Sequence, residues 1–537
     1  MTPASAETTL DRLSVGRKPG ELLVLAPLRI EARAVRRGLA PGAQVIPTGV
    51  GPRHSLAAAS THGARAAVAV SGFCGAVDPT LAPGDLVVAT EIRGPGGVIP
   101  CPSARVLASA LRRRRLRVRV GPIVSTDRLV RGSERRRLRA TGALAVDTES
   151  AWLAGAADGR PLAVVRAVVD HPAQELRRPL ALVNGTGRGY WALRQAAGVL
   201  SEWASTVRPR TIMLAAPRAS CAGVERAIDV VELALARFSP PVYVRRQIVH
   251  NAHVVSDLER RGAVFVDEID EIPDGSTVVF SAHGVAPAVR RAAGAKRLNV
   301  IDATCPLVSK VHGEARRFAE AGYTIVLVGH EGHDEVEGTV GEAPDHIHLV
   351  SDQGEVQGLE VEDPQRVAYL TQTTLAVDDA KQVVDALRER FPRLAGPPSS
   401  DICYATQNRQ DAIKLLAREC DFVLVVGSAN SSNSRRLVEV AERHGTPARL
   451  IEDESAIELH WLARAPRIGL TAGASAPESV VRRVLAALTA LGPADVVERR
   501  AAQESRRFKL PPEIRSPNAS ATARAPAGPG RRTAPRE

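Results

Sequence analysis

Cys221, Cys305 and Cys403 are widely spaced, and each sits in a short loop, RASCAG, DATCP or DICYA, between an apolar stretch and a helical pattern. Three thiolates meeting at one centre leave a fourth coordination position open. That suits a catalytic iron–sulfur cluster or zinc better than a closed structural site. Spacing alone leaves the alternative of three separate small buried side chains. Cys420 opens an apolar strand, and it is read as a core thiol, with Cys74 and Cys101 also non-ligands. No CxxC pair occurs, so the six cysteines are not read as a disulfide framework.

A second set of residues is suited to holding an anion. IVHNAHVV carries His250, FSAHGV carries His283, and SSNS at 431–434 and GAS at 473–475 follow apolar strands. Hydroxyls, a carboxamide and imidazoles at helix starts donate many hydrogen bonds to phosphate oxygens. Singly, a Ser/Asn loop also caps a helix and a histidine also packs in a core.

These groups must be positioned by an α/β framework. The chain has 537 residues, too many for one core, and only 3% aromatics, so its cores are expected from Val, Leu, Ile and Ala in strands covered by helices. Short apolar strands alternate with helical patterns, and ligands gather at the carboxyl ends of such strands. The expected division is a disordered N-terminus at 1–20, an α/β domain at 21–205, a linker at 206–210, a larger α/β domain at 211–493 and a disordered basic tail at 494–537. The formal net charge is +12, but residues 499–537 alone hold ten Lys+Arg against three Glu. With no interleaved aromatics, the Arg runs are read as solvated surface and no specific nucleic-acid binding is expected. No apolar run reaches membrane-spanning length, and the first residues lack the order of a signal peptide, so a cytoplasmic protein is expected.

From 211 to 490 the motifs CAGVERAI, IVHN, FSAHGV, DATCPLVSKVH, GHEGHDEVEGT, LTQTTLAVDD, DICYATQNRQ, SSNSRRL and TAGASAP closely resemble, in order, the 4-hydroxy-3-methylbut-2-enyl diphosphate reductases. The resemblance implies three α/β lobes around one 4Fe-4S cluster per chain, held by Cys221, Cys305 and Cys403. It implies diphosphate binding by His250, His283, Ser431, Ser432, Asn433 and Ser475, with His333 and Thr373 near the reacting end. Glu335 would deliver the proton, and ferredoxin or flavodoxin would supply electrons for reductive dehydroxylation to isopentenyl and dimethylallyl diphosphates. His250 and His283 are then expected as partial or full cations. Asp334 stands where the family commonly has Pro, and no effect on chemistry is expected from it.

Residues 21–205 resemble the purine nucleoside phosphorylase and nucleosidase superfamily through APLRIEARAV, TGVGPRHS, AVAVSGFCGAVDPTLAPGDLVVAT, VDTESAWLA and VVRAVVD. The resemblance implies a purine nucleoside ligand, with Glu149 on the ribose hydroxyls and Asp170 protonating or hydrogen-bonding the base. Ile30 falls where the hydrolytic members carry a water-activating Glu. This points to phosphorolysis, with Arg29 or Arg53 on phosphate, or to an inactive domain kept for nucleoside binding or oligomerisation.

Overall fold

The computed structural model describes residues 21–61, 65–172 and 179–515. The expected disordered N-terminus and the segment after 515 lie outside them. The chain divides into two compact units, residues 1–219 with 408–503, and residues 220–407 with 504–537.

The first unit opens on the wholly buried strand Leu22–Ala26, parallel to Gln44–Pro47 and Ala67–Ala76. From Ala67–Ala76 the pairing closes on itself. That strand runs parallel to Leu162–Asp170, which is antiparallel to Leu86–Gly94; this in turn is parallel to Val118–Ser125. Val118–Ser125 then pairs with Ala145–Asp147, which returns antiparallel to Ala67–Ala76. Closure removes open strand edges, and it brings Asp147 and Asp170, each the last residue of its strand, to strand ends.

The same unit holds a parallel sheet in the order Ala448–Ile451, Phe422–Val426, Arg467–Ala472, Arg210–Ala216, Ala494–Arg500. One apolar core joins the two sheets, running from Leu107 and Trp203 to Leu470 and Val484. Residues 206–210 are no exposed linker, because Thr206, Val207 and Arg210 are buried between the long helix Pro179–Ser205 and the strand that follows. Nor does a disordered tail begin at 494. Residues 494–500 form an edge strand whose Arg499 pairs with Glu419 at 2.8 Å, and 512–515 form a helical turn. The high charge of this stretch hid its half-buried alternation at Val497 and Arg499.

The second unit contains two all-parallel sheets. One runs Ala263–Val266, Val242–Arg245, Thr277–Phe280, Asn299–Asp302. The other runs Ile347–Val350, Thr324–Val328, Val367–Thr371. Parallel strands need crossovers, so each strand ends in a loop leading away from the sheet. The residues expected to do chemistry follow five such ends: His250, His283, Cys305, the pair His333 and Glu335, and Thr373.

Candidate active site

In the second unit, Cys221 and Cys305 are the N-cap residues of helices Ala222–Phe238 and Pro306–Glu320, and Cys403 directly precedes helix Tyr404–Glu419. Backbone bonds fix two of them: Cys305 N–H donates to the Ala282 carbonyl at 2.9 Å and Cys403 N–H to the Thr373 carbonyl at 3.0 Å. A Cβ on Gly223 would lie 2.8 Å from Cys305 Sγ and 3.8 Å from Cys221 Sγ, so only glycine leaves the sulfurs their space. Burial, reinforced by the Cys221 and Cys403 thiols, pushes the Cys305 thiol up to about 12. Burial and Cys221 likewise raise Cys403. The three sulfurs therefore face one another.

Their spread limits what they can hold. Two sulfurs on one tetrahedral zinc, with bonds of ~2.3 Å, sit roughly 3.8 Å apart. Among the described residues the three thiols are not a group whose ligand atoms all fall within 4.8 Å of one another.

Beside them stand three histidines. The His250 and His283 rings stack with centroids 4.0 Å apart, and His333 meets them edge-on at 5.4 and 5.8 Å. His333 caps helix Asp334–Val340, its Nδ1 accepting from Glu335 N–H at 3.1 Å. The cap turns the Glu335 side chain inward, where it is 2% exposed. Thr373 N–H donates to Glu335 Oε1 at 2.6 Å and the Thr373 hydroxyl to Oε2 at 3.0 Å. Burial nevertheless dominates and raises the Glu335 carboxyl to about 7, with Asp401 adding in the same direction.

In the first unit, Ser431 caps helix Ser432–Arg443, accepting from Ser434 N–H, and the Ser475 hydroxyl donates to Ser431 Oγ at 3.3 Å. Asn433 is buried with both carboxamide atoms lacking a hydrogen-bond partner. Buried polar groups are normally satisfied, so such a carboxamide at a helix start marks a place that a polar ligand or water completes.

The closed strand circuit of the first unit carries a cavity of about 340 Å³ lined by Glu31, Phe73, Arg128, Arg135, Glu149 and Asp170. The fully buried Arg166 contacts Asp147 at 2.8 Å and Glu149 at 3.5 Å. A side chain at Gly72 would strike Arg166 Nη1 at 2.5 Å and Glu31 at 3.0 Å. Glu31 accepts from the Phe73 and Leu28 N–H groups, each at 2.6 Å, and burial lifts its carboxyl to about 7. Both Asp170 oxygens bond Arg135, at 3.2 and 2.9 Å.

Residues 212–489 match the family described as "LytB protein". The chain belongs to the LytB protein family. It is 57% identical over 307 residues to the 4-hydroxy-3-methylbut-2-enyl diphosphate reductase of Leifsonia xyli subsp. xyli, covering 57% of this chain and 91% of that relative. Against the reductase of the same name from Acidothermus cellulolyticus the identity is 58%, covering 57% of this chain and 90% of the relative. The solved E-1-hydroxy-2-methyl-but-2-enyl-4-diphosphate reductase of Plasmodium falciparum is 38% identical with a TM-score of 0.55, covering 57% of this chain and 97% of that one. Residues 35–203 match the phosphorylase superfamily, so the LytB portion follows a phosphorylase-like domain. No helix among the described residues is long and apolar enough to cross a membrane.

Two features of the LytB portion add to what the sequence suggested. Burial pushes His250 down and His283 well below the usual imidazole range, which favours their neutral forms. Asp334 is no bystander: its Oδ2 lies 3.8 Å from His250 Nε2 and 3.7 Å from His283 Nδ1, while Oδ1 bonds Arg246. Arg246 also pairs with Glu337 at 2.7 Å. Sequence reasoning singled out Asp334 but not its contacts, because its partners lie on other loops.

In the phosphorylase-like domain, Ile30 and Glu31 both line the cavity, but Ile30 is 43% exposed and Glu31 is buried. A buried carboxyl thus lines this cavity one residue after Ile30. Arg29 and Arg53 are exposed and do not line the cavity; the guanidiniums that do are Arg128 and Arg135.

Proposed function

We propose that this chain reduces (E)-4-hydroxy-3-methylbut-2-enyl diphosphate to isopentenyl and dimethylallyl diphosphates. The observation that carries the proposal is the buried, proton-retaining Glu335, held by Thr373 in the same unit as three facing thiols. Cys221, Cys305 and Cys403 would hold one 4Fe-4S cluster, which when bound supplies electrons and a Lewis-acidic iron. The reaction breaks the allylic C–O bond, consumes two electrons and two protons and releases water. Hydroxide leaves poorly, so a proton from Glu335 to the departing oxygen lowers the barrier.

Because its carboxyl titrates near 7, a large share of Glu335 is protonated at neutral pH and can donate. The rings of His250 and His283 can donate hydrogen bonds to diphosphate, and bound phosphate charge would draw protons onto them. His333 orients Glu335 through the cap. Ser431, Ser432, Asn433 and Ser475 are proposed as further diphosphate ligands, supported by the orphaned Asn433 carboxamide. Ferredoxin or flavodoxin is the proposed electron source. Anaerobically purified protein is expected to hold about four irons per chain and to reduce the substrate with reduced methyl viologen. Zinc in place of iron, or no turnover by iron-loaded protein, would refute the proposal.

For the phosphorylase-like domain we propose cleavage of a purine nucleoside, supported by Glu31, Glu149 and Asp170 lining one cavity. Glu31 restores hydrolysis as an option beside phosphorolysis, since a carboxyl titrating near 7 can serve as a base. Adenine release from adenosine-type substrates, measured with and without phosphate, distinguishes the two. No release in either condition leaves a binding or assembly domain.

A further inference from the structure

Within the second unit, residues 504–515 form a strap over the elements that carry the cysteines. Leu510 and Ile514 pack against the core that includes Ala227, Val230 and Val231 of helix Ala222–Phe238, the helix capped by Cys221. The buried Arg226 of that helix clamps the strap from below. Its Nε donates to the Lys509 carbonyl at 2.8 Å, while its Nη1 donates to the Ala303 and Thr304 carbonyls at 2.9 and 3.1 Å, directly before Cys305. Further along, Arg237 Nη1 donates to the Glu513 carbonyl at 3.1 Å. On the third side, the Arg506 guanidinium lies 4.9 Å from the centre of the Tyr404 ring. Tyr404 directly follows Cys403 and lies within electrostatic range of both the Cys221 and Cys403 thiols.

Arg506, Arg507, Lys509 and Arg515 are exposed along this strap, against the carboxylates of Glu504 and Glu513. A net positive surface is thus fastened to loops of the thiol centre, with Arg506 against the ring of Tyr404, the residue that follows Cys403.

We infer that this strap is the docking surface for an acidic one-electron carrier protein, an iron–sulfur protein or flavoprotein whose negative face seats on Arg506, Arg507 and Lys509. The inference rests on the proposed reductase activity. Each turnover needs two electrons with two protons, so a one-electron donor must dock, release one electron and leave twice. Such an exchange calls for an attractive but readily dissociating charged contact. A nucleic acid would gain nothing from a position over the thiols, and the strap lacks the aromatic ladder that stacks bases. Phe508, its one aromatic, is half-buried.

The test uses the iron-loaded full chain with two donors, reduced methyl viologen and a low-potential acidic [2Fe-2S] ferredoxin. The triple charge reversal Arg506→Glu, Arg507→Glu, Lys509→Glu is expected to raise the KM for ferredoxin by roughly tenfold or more and to keep the methyl viologen rate within about twofold. Raising the salt concentration should weaken ferredoxin use by the parent protein and have little further effect on the reversed one. An unchanged ferredoxin KM overturns the inference. So does an equal loss with both donors, which would make the strap merely structural, and so does heparin binding to the strap without competition against ferredoxin. If the parent protein turns over with neither donor, the reductase proposal itself fails. As a second variant, Arg506→Gln removes one charge and the ring contact, and it should raise the ferredoxin KM less than the triple reversal does.

Discussion

Thr373 donates twice to the same carboxyl group, its backbone N–H to one oxygen of Glu335 and its hydroxyl to the other. Both bonds favour the ionised form, yet burial outweighs them and holds the carboxyl at about 7. The acid form donates, so the turnover rate should be high below pH 7 and fall as pH rises through it. Thr373→Val removes the hydroxyl bond, leaving the charged form less favoured, and should shift that falling limb to higher pH. Glu335→Gln should lower the rate about 100-fold or more. A pH profile of kcat with methyl viologen as donor checks both.

The same carboxyl makes stability depend on pH. Its folded value lies above the ordinary 4.5, so the stability tied to the neutral form is fully present below about 4.5 and lost as pH rises through about 7. Glu335→Gln keeps a neutral amide that can still accept from Thr373 N–H. At pH 9 the variant should therefore resist urea better than the parent, by up to ~3 kcal/mol, and the two should match near pH 4. Urea titrations at the two pH values, followed through the transition of the second unit, measure the difference.

Asp334 holds a negative charge against His250 and His283 where an anionic substrate is proposed to bind. Asp334→Asn frees Arg246 from one partner and removes that charge. The loss of Asp334 also lowers the tendency of His250 to protonate. The KM for the diphosphate should therefore fall, roughly two- to fivefold at low salt, with the difference shrinking at high salt. Steady-state kinetics at two ionic strengths settle the sign.

Gly223 leaves room between two sulfurs that no other residue would leave. Gly223→Ala should cut iron content and visible absorbance well below those of the parent while far-UV circular dichroism stays the same. Cys305→Ser should do the same by removing a ligand. Full iron in both variants would place the metal elsewhere.

In the phosphorylase-like domain, Arg135 and Asp170 are both buried and bonded to each other. Removing one partner strands the other charge, so Arg135→Ala should destabilise the first unit by about 3–5 kcal/mol. The double variant Arg135→Met, Asp170→Asn should recover part of that loss. Denaturant titration of both proteins is the check.

The sequence by itself determined the α/β class, the cysteine and histidine motifs and their order, because each motif is a strand end followed by a helix start and both are local patterns. Those patterns marked Cys221, Cys305, Cys403, His250 and His283 as candidates, and Glu335 came only from the resemblance to the reductases. The charge-rich stretch after 494 misled, since a half-buried edge strand and a solvated tail share the same composition and differ only in whether Arg210–Ala216 is there to pair with.

Only the tertiary structure decided that Glu31 is buried at the cavity wall while Ile30 beside it stays exposed. Helix phase is set by what the helix packs against, and a one-residue step turns a side chain through more than a quarter of a turn. The fold likewise decided that Asp334 meets two histidines from other loops and that residues 408–503 join the first unit. It also set the protonation of Glu335 and Glu31, which depends on how completely distant segments exclude water and cannot be read from neighbours along the chain.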